Sequence, residues 1–392
     1  MKRTKIKLAN LLVGIYKFLT GRPRDRQSFD SKRNFRSVVI FSTTALGDLL
    51  LNTPAIRAVK KRYPDAVITL VSGHRTAGLV QGSPHFDHVI HWDHKARTMF
   101  GVISALRGVR PEMAVILHSK EPYDVLAAVF SGCEYVFKNV EREELNGMGR
   151  WLTAFTFHEG RHQIRSKLDL MEVLGCDVQD TTMFVPVPFA PLPKPEGKVV
   201  VGFQLGASKP IRCWPVERFV ALARKILSHS PDYALVLVGD AREREIEQAF
   251  LDGLAQDERA RVISYVGETT LPQLAAVVGS MDVLVTGDTG TMHLAIALRV
   301  KTVSLFVTAN PEATGPYQDS HLHQVIHVPF DPQRFDAAQR ERPMSVIGCD
   351  IVMEKVLVAT AVPAIAASAA AQVRRAGRAA ERETEGASLS YA

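Results

Sequence analysis

The chain has 392 residues, of which 46% are hydrophobic and 23% charged, a composition typical of a folded protein with room for two domains. No apolar run reaches the roughly 18 residues of a membrane-spanning helix, and the interrupted apolar stretch 8–19 lacks the features of a signal peptide. The four cysteines lie far apart. This spacing argues against a disulfide framework or a cysteine metal site and predicts reduced thiols in a cytosolic protein.

Residues 1–36 are a basic arm. They contain eleven Lys or Arg and two Asp, a net charge of +9, so the remaining chain is nearly neutral and nucleic-acid binding is not expected. The arm has an apolar stripe at helical spacing, made of Leu8, Leu11, Leu12, Ile15 and Leu19. A basic amphipathic helix predicts contact with an anionic membrane surface. A disordered tail, or a helix packed on the body, would have the same pattern.

Apolar strands then alternate with helical stretches. The predicted strands are 37–41, 67–71, 88–92 and 113–117, and the predicted helices are 54–62, 98–107, 122–130 and 161–174. This alternation is typical of a parallel sheet with helices on both faces. It predicts an N-terminal α/β domain at residues 37–185.

Five prolines between residues 186 and 195 predict a stiff linker at 186–197. After it the pattern restarts, with strands at 198–203, 233–238, 262–265, 283–286 and 302–306 and helices at 215–228, 243–254, 271–278 and 292–298. A second doubly wound domain is therefore expected at 198–358, with a cleft between the carboxyl ends of two sheets. Residues 359–392 are predicted to be an Ala-rich helix and a disordered tail.

The segment Gly287-Asp288-Thr289-Gly290-Thr291-Met292-His293 joins a predicted strand to a predicted helix. A short turn of this kind presents free backbone N–H groups at a helix start, and the helix dipole favours an anion there. The segment therefore predicts a diphosphate site. An ordinary turn capped by Asp288 and Thr289 is the alternative.

Three more segments complete a family resemblance. Residues 38–48 are a buried strand, a polar turn and Gly47-Asp48; residues 203–208 precede Arg212-Cys213-Trp214-Pro215; and residues 305–311 precede Gly315-Pro316. With the preceding segment, they resemble glycosyltransferase family 9, the family of the lipopolysaccharide heptosyltransferases, from about residue 37 to residue 329. The resemblance implies the GT-B fold, two doubly wound Rossmann-like domains facing a central cleft, with the acceptor bound by the first and the nucleotide by the second.

Asp48 is the candidate catalytic residue. It follows the first predicted strand, where open α/β sheets place ligand-binding groups, and inverting transfer needs a base for the attacking hydroxyl. The resemblance implies this role for Asp48. A helix N-cap is the alternative, and one carboxylate can serve both purposes.

The candidate donor-binding residues lie in the second half of the chain. They are Lys209, Arg212, Glu243, Asp288, Thr289, Gly290 and His293. Arg212 stands where the family usually has lysine, and Lys209 is close enough in sequence to share the phosphate charge. The resemblance assigns the donor ribose to Glu243, although residues 242–245 are also a charge run. His293 lies one turn into the phosphate-binding helix and is either a ligand or a packing residue.

No metal or cofactor is expected. The spacing of His88, His91, Asp93 and His94 suits strand alternation better than a metal site, and no dinucleotide or Walker motif is present. Protein cations and a helix dipole would replace a metal at the diphosphate.

The sequence thus predicts an inverting, metal-independent glycosyltransferase. It would move a sugar, plausibly heptose from ADP-heptose, to a lipopolysaccharide-core-type glycolipid, as a cytoplasmic protein peripheral to the inner membrane. Two alternatives remain open: another nucleotide-sugar enzyme on the same scaffold, such as an epimerase or a transferase to a different glycan, and a non-catalytic nucleotide-sugar-binding membrane scaffold.

Overall fold

A computed structural model describes residues 2–140, 147–157 and 160–361 of the chain. Apart from residues 359–361, which end a helix, the predicted Ala-rich helix and tail lie outside the described residues. Within the described ranges, no helix combines the length and the apolar character that crossing a membrane requires.

The first sheet has six parallel strands in the order β3-β2-β1-β4-β5-β6. They are β1 Ser37–Ser42, β2 Val67–Ser72, β3 His88–His91, β4 Met113–His118, β5 Tyr135–Val140 and β6 Ala154–Phe157. Strand β1 is buried along its whole length and β4 up to its last residue, His118, because helices cover both faces of a parallel sheet.

The second sheet repeats this topology, in the order β12-β11-β10-β7-β8-β9. Its parallel strands are β7 Val199–Gln204, β8 Tyr233–Val238, β9 Val262–Ser264, β10 Val283–Gly287, β11 Lys301–Phe306 and β12 His323–His327. In both sheets the strand order reverses between the first and fourth strands, and ligands of doubly wound folds bind outside this point. The predicted α/β, GT-B architecture is confirmed.

The helices connect these strands. In chain order they are α1 Lys2–Thr20, α2 Leu46–Arg62, α3 Ala77–Val80, α4 Ala96–Val109, α5 Tyr123–Phe130, α6 Gln163–Val173, α7 Val216–His229, α8 Arg244–Asp252, α9 Gln256–Arg259, α10 Leu271–Gly279, α11 Gly290–Ala297, α12 Pro311–Thr314, α13 Ala337–Glu341 and α14 Cys349–Ala361.

Helix α2 begins eight residues before its predicted start at Pro54. Proline has no N–H and therefore leaves the carbonyl four residues earlier without its helical donor. Here the Thr53 hydroxyl donates to the Leu50 carbonyl at 2.7 Å in its place. The helix thus passes through Pro54, and Asp48 lies in its first turn rather than in a loop.

The arm packs on the first sheet. Ile6, Ala9 and Val13 of α1 are buried, and Trp151 Nε1 donates to Asn10 Oδ1 at 2.7 Å. Further along, Phe29 and Phe35 are also buried, and both rings contact Tyr135. The sequence is compatible with a membrane-binding helix, a disordered tail or a helix packed on the body. The structure has a helix that packs on the body. The apolar stripe of α1 nevertheless faces outwards.

The two halves of the chain are in direct contact as well as connected by residues 186–197. His162 Nε2 lies 2.9 Å from the Gly315 carbonyl, and the Met183 amide donates to Gln318. Helices α2 and α11 also contact each other. The starts of these two helices, which follow strands of different sheets, contact each other.

Candidate active site

Two glycines allow the starts of α2 and α11 to meet. A Cβ atom on Gly47 would lie 2.7 Å from His293 Cδ2, and one on Gly290 would lie 3.0 Å from Leu46 Cβ. The first distance is shorter than real contacts allow, so α2 and α11 can approach this closely because Gly47 has no side chain. Each helix follows the carboxyl end of a strand at the reversal point of its sheet, β1 and β10 respectively.

Asp48 lies at the start of α2, where its Oδ2 accepts a hydrogen bond from the Ala45 amide at 3.1 Å. Its Oδ1 is 3.5 Å from His118 Nδ1, and one quarter of the side chain is exposed. Burial tends to raise the pKa of Asp48, but His118, the Thr44 hydroxyl, the Ala45 amide and Lys167 together hold it below its usual value. The carboxylate is therefore ionised at neutral pH, as a general base must be.

The loop before α2 is held by the end of β4 and by His94. The His118 carbonyl accepts from the Thr43 amide at 2.9 Å and lies 3.3 Å from the Thr43 hydroxyl, which is also 2.9 Å from Ser119 Oγ. His94 Nε2 lies 2.7 Å from the Thr43 carbonyl. His94, a metal-ligand candidate in the sequence, thus binds the backbone of this loop. Among the described residues, no group of three His, Cys, Asp or Glu side chains could hold a metal ion.

Unlike α2, helix α11 begins with a threonine N-cap and has no acidic side chain in its first turn. Thr289 is its N-cap and accepts from the Met292 amide at 3.3 Å, and its hydroxyl lies 2.9 Å from that of Thr286. The Thr289 hydroxyl therefore has a structural partner in addition to any phosphate. No acidic side chain lies in the first turn of this helix, which begins at Gly290. Its first N–H groups are thus not covered by a carboxylate of their own turn.

Arg212 lies beside this helix start and pairs with Asp288. Its Nη1 donates to Asp288 Oδ2 at 2.9 Å, and the Thr314 hydroxyl donates to Asp288 Oδ1 at 3.3 Å. Asp288 therefore orients the guanidinium, while 30% of the Arg212 side chain stays exposed. Lys209, three residues earlier, is exposed.

Glu243 is fixed by a chain of hydrogen bonds. Its Oε2 accepts from Gln204 Nε2 at 2.7 Å and from the Gly206 amide at 3.1 Å, and Gln204 Oε1 accepts from the Thr291 hydroxyl at 2.7 Å. A Cβ on Gly206 would lie 2.5 Å from Glu243 Cδ, so this glycine leaves room for the carboxylate. Burial raises the pKa of Glu243, and Asp240 adds to the shift. These hydrogen bonds link Glu243 to the first turn of α11.

His293 is almost fully buried against Gly47, and its Nδ1 has no hydrogen-bond partner within the described residues. Burial lowers the pKa of His293, although Asp288 and Asp48 oppose the shift. The ring thus lies between carboxylates of the two domains, at the contact between the helix starts.

Sequence reasoning missed two residues near Asp48. His118 ends β4 and directly follows the predicted strand 113–117, a position that could have identified it. Lys167 on α6 is fully buried, and its amine donates to Gln163 Oε1 at 2.6 Å. Burial lowers the pKa of Lys167 to about 8, although Asp48 opposes the shift. No local pattern in the sequence indicates this lysine.

This arrangement of sheets and helix starts defines the GT-B class of two-domain proteins, and solved structures agree. A family 9 glycosyl transferase from Veillonella parvula has a TM-score of 0.68, with 21% identity, and covers 83% of this chain and 97% of its own. The Escherichia coli ADP-heptose lipopolysaccharide heptosyltransferase II has a TM-score of 0.66, also with 21% identity, over 83% of this chain and 98% of its own.

Sequence comparisons find similarity to one family. Residues 174–340 match glycosyltransferase family 9 (heptosyltransferase). Lipopolysaccharide heptosyltransferase 3 of Escherichia coli is 24% identical over 276 residues, 66% of this chain and 80% of the relative. Lipooligosaccharide heptosyltransferase 2 of Campylobacter jejuni is 22% identical over 330 residues, 82% of this chain and 96% of the relative. The predicted resemblance to family 9 and the predicted glycosyltransferase are thereby confirmed.

Proposed function

We propose that this protein is an inverting glycosyltransferase that moves a heptose from ADP-heptose to a hydroxyl of a lipopolysaccharide-core-type glycolipid. The family match and the heptosyltransferase relatives support the sugar and the acceptor class. The observation that carries the mechanism is the meeting of two unlike helix starts, one with an ionised carboxylate and one with no carboxylate in its first turn. In this proposal the acceptor binds to the first domain and the nucleotide to the second.

Asp48 is the general base of the proposed reaction. Its carboxylate takes the proton of the acceptor hydroxyl, and the hydroxyl oxygen forms a bond to the anomeric carbon from the face opposite the diphosphate. The bond from that carbon to the diphosphate oxygen breaks, and its electron pair leaves with the nucleotide. A carboxylate that is already ionised and partly exposed is suited to this step.

The second helix start stabilises the leaving group. The N–H groups at the start of α11, the Thr289 hydroxyl and the Arg212 guanidinium would face the diphosphate, with Lys209 adding charge at the exposed edge and Asp288 orienting Arg212. Oriented donors and a cation lower the energy of the departing diphosphate without a metal. The proposal therefore needs no metal ion and no cofactor.

Glu243 and His293 complete the proposed donor site. Glu243 lies past the end of β8, where a carboxylate can accept hydrogen bonds from ribose hydroxyls. His293, one turn into α11, is placed beside the phosphate-binding helix start and beside Asp48. It would contact the sugar or phosphate between them.

A donor screen followed by a transfer assay tests this function. ADP-, UDP- and GDP-sugars are compared by thermal shift, and transfer to a truncated core glycolipid is then measured with and without EDTA. We expect the largest stabilisation with an ADP-linked heptose, and transfer with inverted configuration that survives EDTA. Loss of transfer in EDTA that Mg²⁺ restores would overturn the metal-free mechanism.

The same assay separates the alternatives. Sugar isomerisation without an acceptor would indicate an epimerase, and transfer only to another glycan would indicate a different transferase. Donor binding without turnover in the intact protein would indicate a non-catalytic scaffold.

We further propose that α1 binds an anionic membrane surface at the cytoplasmic face of the inner membrane. Its outward residues, 43 to 89% exposed, are Leu8, Leu11, Leu12, Ile15, Phe18 and Leu19. The buried face of α1 packs on the first domain, so this apolar stripe has a fixed direction relative to the cleft. The surrounding arm carries a net charge of +9 and would be attracted to anionic headgroups.

Point substitutions test the membrane proposal. A deletion of residues 1–32 would remove Phe29 from the core. We therefore compare Leu11→Gln/Phe18→Gln with Phe100→Gln, which changes an exposed apolar residue on α4. Sedimentation with phosphatidylglycerol vesicles should be lost in the α1 variant only, and wild-type binding should weaken as salt screens the charges. Unchanged binding of the α1 variant would show that another surface contacts lipid.

A further inference from the structure

His118 contacts the loop before Asp48 and the Asp48 carboxylate itself. Its carbonyl accepts from the Thr43 amide at 2.9 Å, which ties the end of β4 to the loop between β1 and α2. Its ring Nδ1 lies 3.5 Å from Asp48 Oδ1. The backbone contact fixes the position of the His118 main chain, and the His118 ring contacts the Asp48 carboxylate. A residue with both contacts can control the position of Asp48.

The two oxygens of Asp48 have different surroundings. Oδ2 accepts from the Ala45 amide at 3.1 Å within the first turn of its own helix. Oδ1 faces His118. Each oxygen thus has one neighbour on the protein and keeps a lone pair, so the carboxylate can still take a proton from an acceptor hydroxyl. His118 is in contact with the carboxylate of the proposed base.

Other charged or polar groups also face Asp48. Lys167 on α6 attracts the carboxylate, but its amine is bound by Gln163 of the same helix. His293 on α11 is affected by the Asp48 charge, and the Thr44 hydroxyl helps to lower the pKa of the carboxylate. His118 differs from Lys167 and His293 because it lies within ion-pair distance of Oδ1.

We propose that His118 is a positioning residue for the transfer reaction, which orients Asp48 through its Nδ1 and keeps the carboxylate ionised through its positive charge. This inference rests on the proposed role of Asp48 as base. At the acidity where a carboxylate gains a proton, an ordinary imidazole, which titrates near pH 6.5, carries a charge. The charge opposes protonation of Asp48 and holds the base active at lower pH.

Two substitutions separate orientation from charge. His118→Asn keeps an N–H donor near the place of Nδ1 but has no charge, whereas His118→Leu loses both. We expect His118→Leu to lower kcat by about 10- to 100-fold, the scale of a misplaced catalytic group, with an unchanged KM for the donor. His118→Asn should restore most of this kcat. In both variants the acid limb of the kcat profile should move up by roughly 0.5–1 pH unit, because both lack the charge.

His94→Gln is the matched control. His94 binds the carbonyl of Thr43 in the same loop, so its loss loosens the loop without removing the contact to Asp48. The acid limb of the kcat profile of His94→Gln should stay at the wild-type pH. If His94→Gln moves the limb as far as His118→Leu does, His118 acts only by supporting the loop and the proposal is overturned.

Failure of the role proposed for His118 can be distinguished from failure of the proposed function. If Asp48→Asn keeps near-normal turnover, the assignment of the base is wrong. If Asp48→Asn is inactive while both His118 variants keep wild-type kcat and acid limb, the base stands and the role of His118 is refuted. Should His118→Leu fail to fold, the acid limb of His118→Asn decides, because an unmoved limb contradicts the charge effect.

Discussion

The starts of α2 and α11 have equivalent places in their sheets but different first turns. In α2 the Asp48 carboxylate folds back to the backbone of its own helix start. In α11 the first turn has no acid, and the nearest carboxylate, Asp288, is paired with Arg212. A helix start that already holds a carboxylate repels a second anion, whereas an uncovered start attracts one. The difference supports the proposal that the first domain supplies the base and that the second binds the diphosphate.

The largest expected effect comes from removing the charge at the first helix start. Asp48→Asn should reduce turnover at least ~100-fold, the usual scale for loss of a general base. The amide can no longer take the hydroxyl proton, yet it can still accept from the Ala45 amide, so the helix start is kept. Single-turnover kinetics measure the chemical step, and calorimetry with ADP should find donor-site affinity unchanged. Turnover close to wild type would remove Asp48 from the mechanism.

The second prediction concerns the cation at the other helix start. Arg212→Ala should weaken ADP binding by about 1.5–3 kcal/mol, because a charge-assisted hydrogen bond is lost. The substitution also leaves Asp288 unpaired beside the phosphates, so Arg212→Ala/Asp288→Asn should recover part of the affinity. Calorimetric titration of both variants with ADP measures the two affinities.

Lys209→Ala is the control for nonspecific charge, since Lys209 is exposed nearby. It should weaken ADP binding less than Arg212→Ala does. Equal losses in the two variants would mean that local charge, and not the orientation of Arg212 by Asp288, determines the affinity.

The third prediction tests the contact between the two helix starts. Gly47→Ala would place a Cβ atom 2.7 Å from the His293 ring, so the buried ring must shift or α2 and α11 must move apart. We expect kcat to fall by roughly 10-fold through misplacement of Asp48, with near-normal ADP binding by the second domain. Gly101→Ala on α4 is a suitable control because nothing lies within 4 Å of its Cβ position. Wild-type kcat in Gly47→Ala would show that this contact is not needed for transfer.

Much of the fold could be predicted from the sequence because parallel strands buried on both faces are continuous apolar runs. Each predicted strand is present to within one residue at either end. Three strands were missed, and their signals are weaker: β5 contains Lys138 and Asn139, β6 has only four residues, and β12 begins and ends with histidine. Lys138 is nevertheless buried, because it pairs with Asp124 at 2.8 Å, a partner that the local sequence does not reveal.

The candidate site likewise has parts that could be predicted from the sequence and parts that could not. Asp48 and Gly290 could be named as candidates because both follow a predicted strand in short segments that carry the family resemblance. The contact of Asp48 with His118, and the packing of Gly47 on His293, join residues far apart in the chain. Such contacts depend on how the two sheets are placed, and no spacing within one segment encodes them. The pairing of Arg212 with Asp288 was likewise not predicted, although both residues were identified as candidates.

The smallest expected effect concerns Glu243, whose hydrogen-bond chain reaches Thr291 at the start of α11. Burial, with Asp240 adding to it, raises the pKa of Glu243 above its unfolded value. The carboxyl therefore contributes stability at low pH that is lost as the pH rises through its raised, folded-state pKa. Glu243→Gln removes this titration while its carbonyl oxygen can still accept from Gln204 and Gly206. Near pH 7 the variant should be equal to or slightly more stable than wild type, by less than about 1 kcal/mol, and the difference should shrink towards pH 4. Denaturant unfolding at pH 4, 5.5 and 7 measures this. A variant that is less stable than wild type at pH 7, by a margin that does not change with pH, would mean that the hydrogen-bond chain and not ionisation sets the contribution of Glu243.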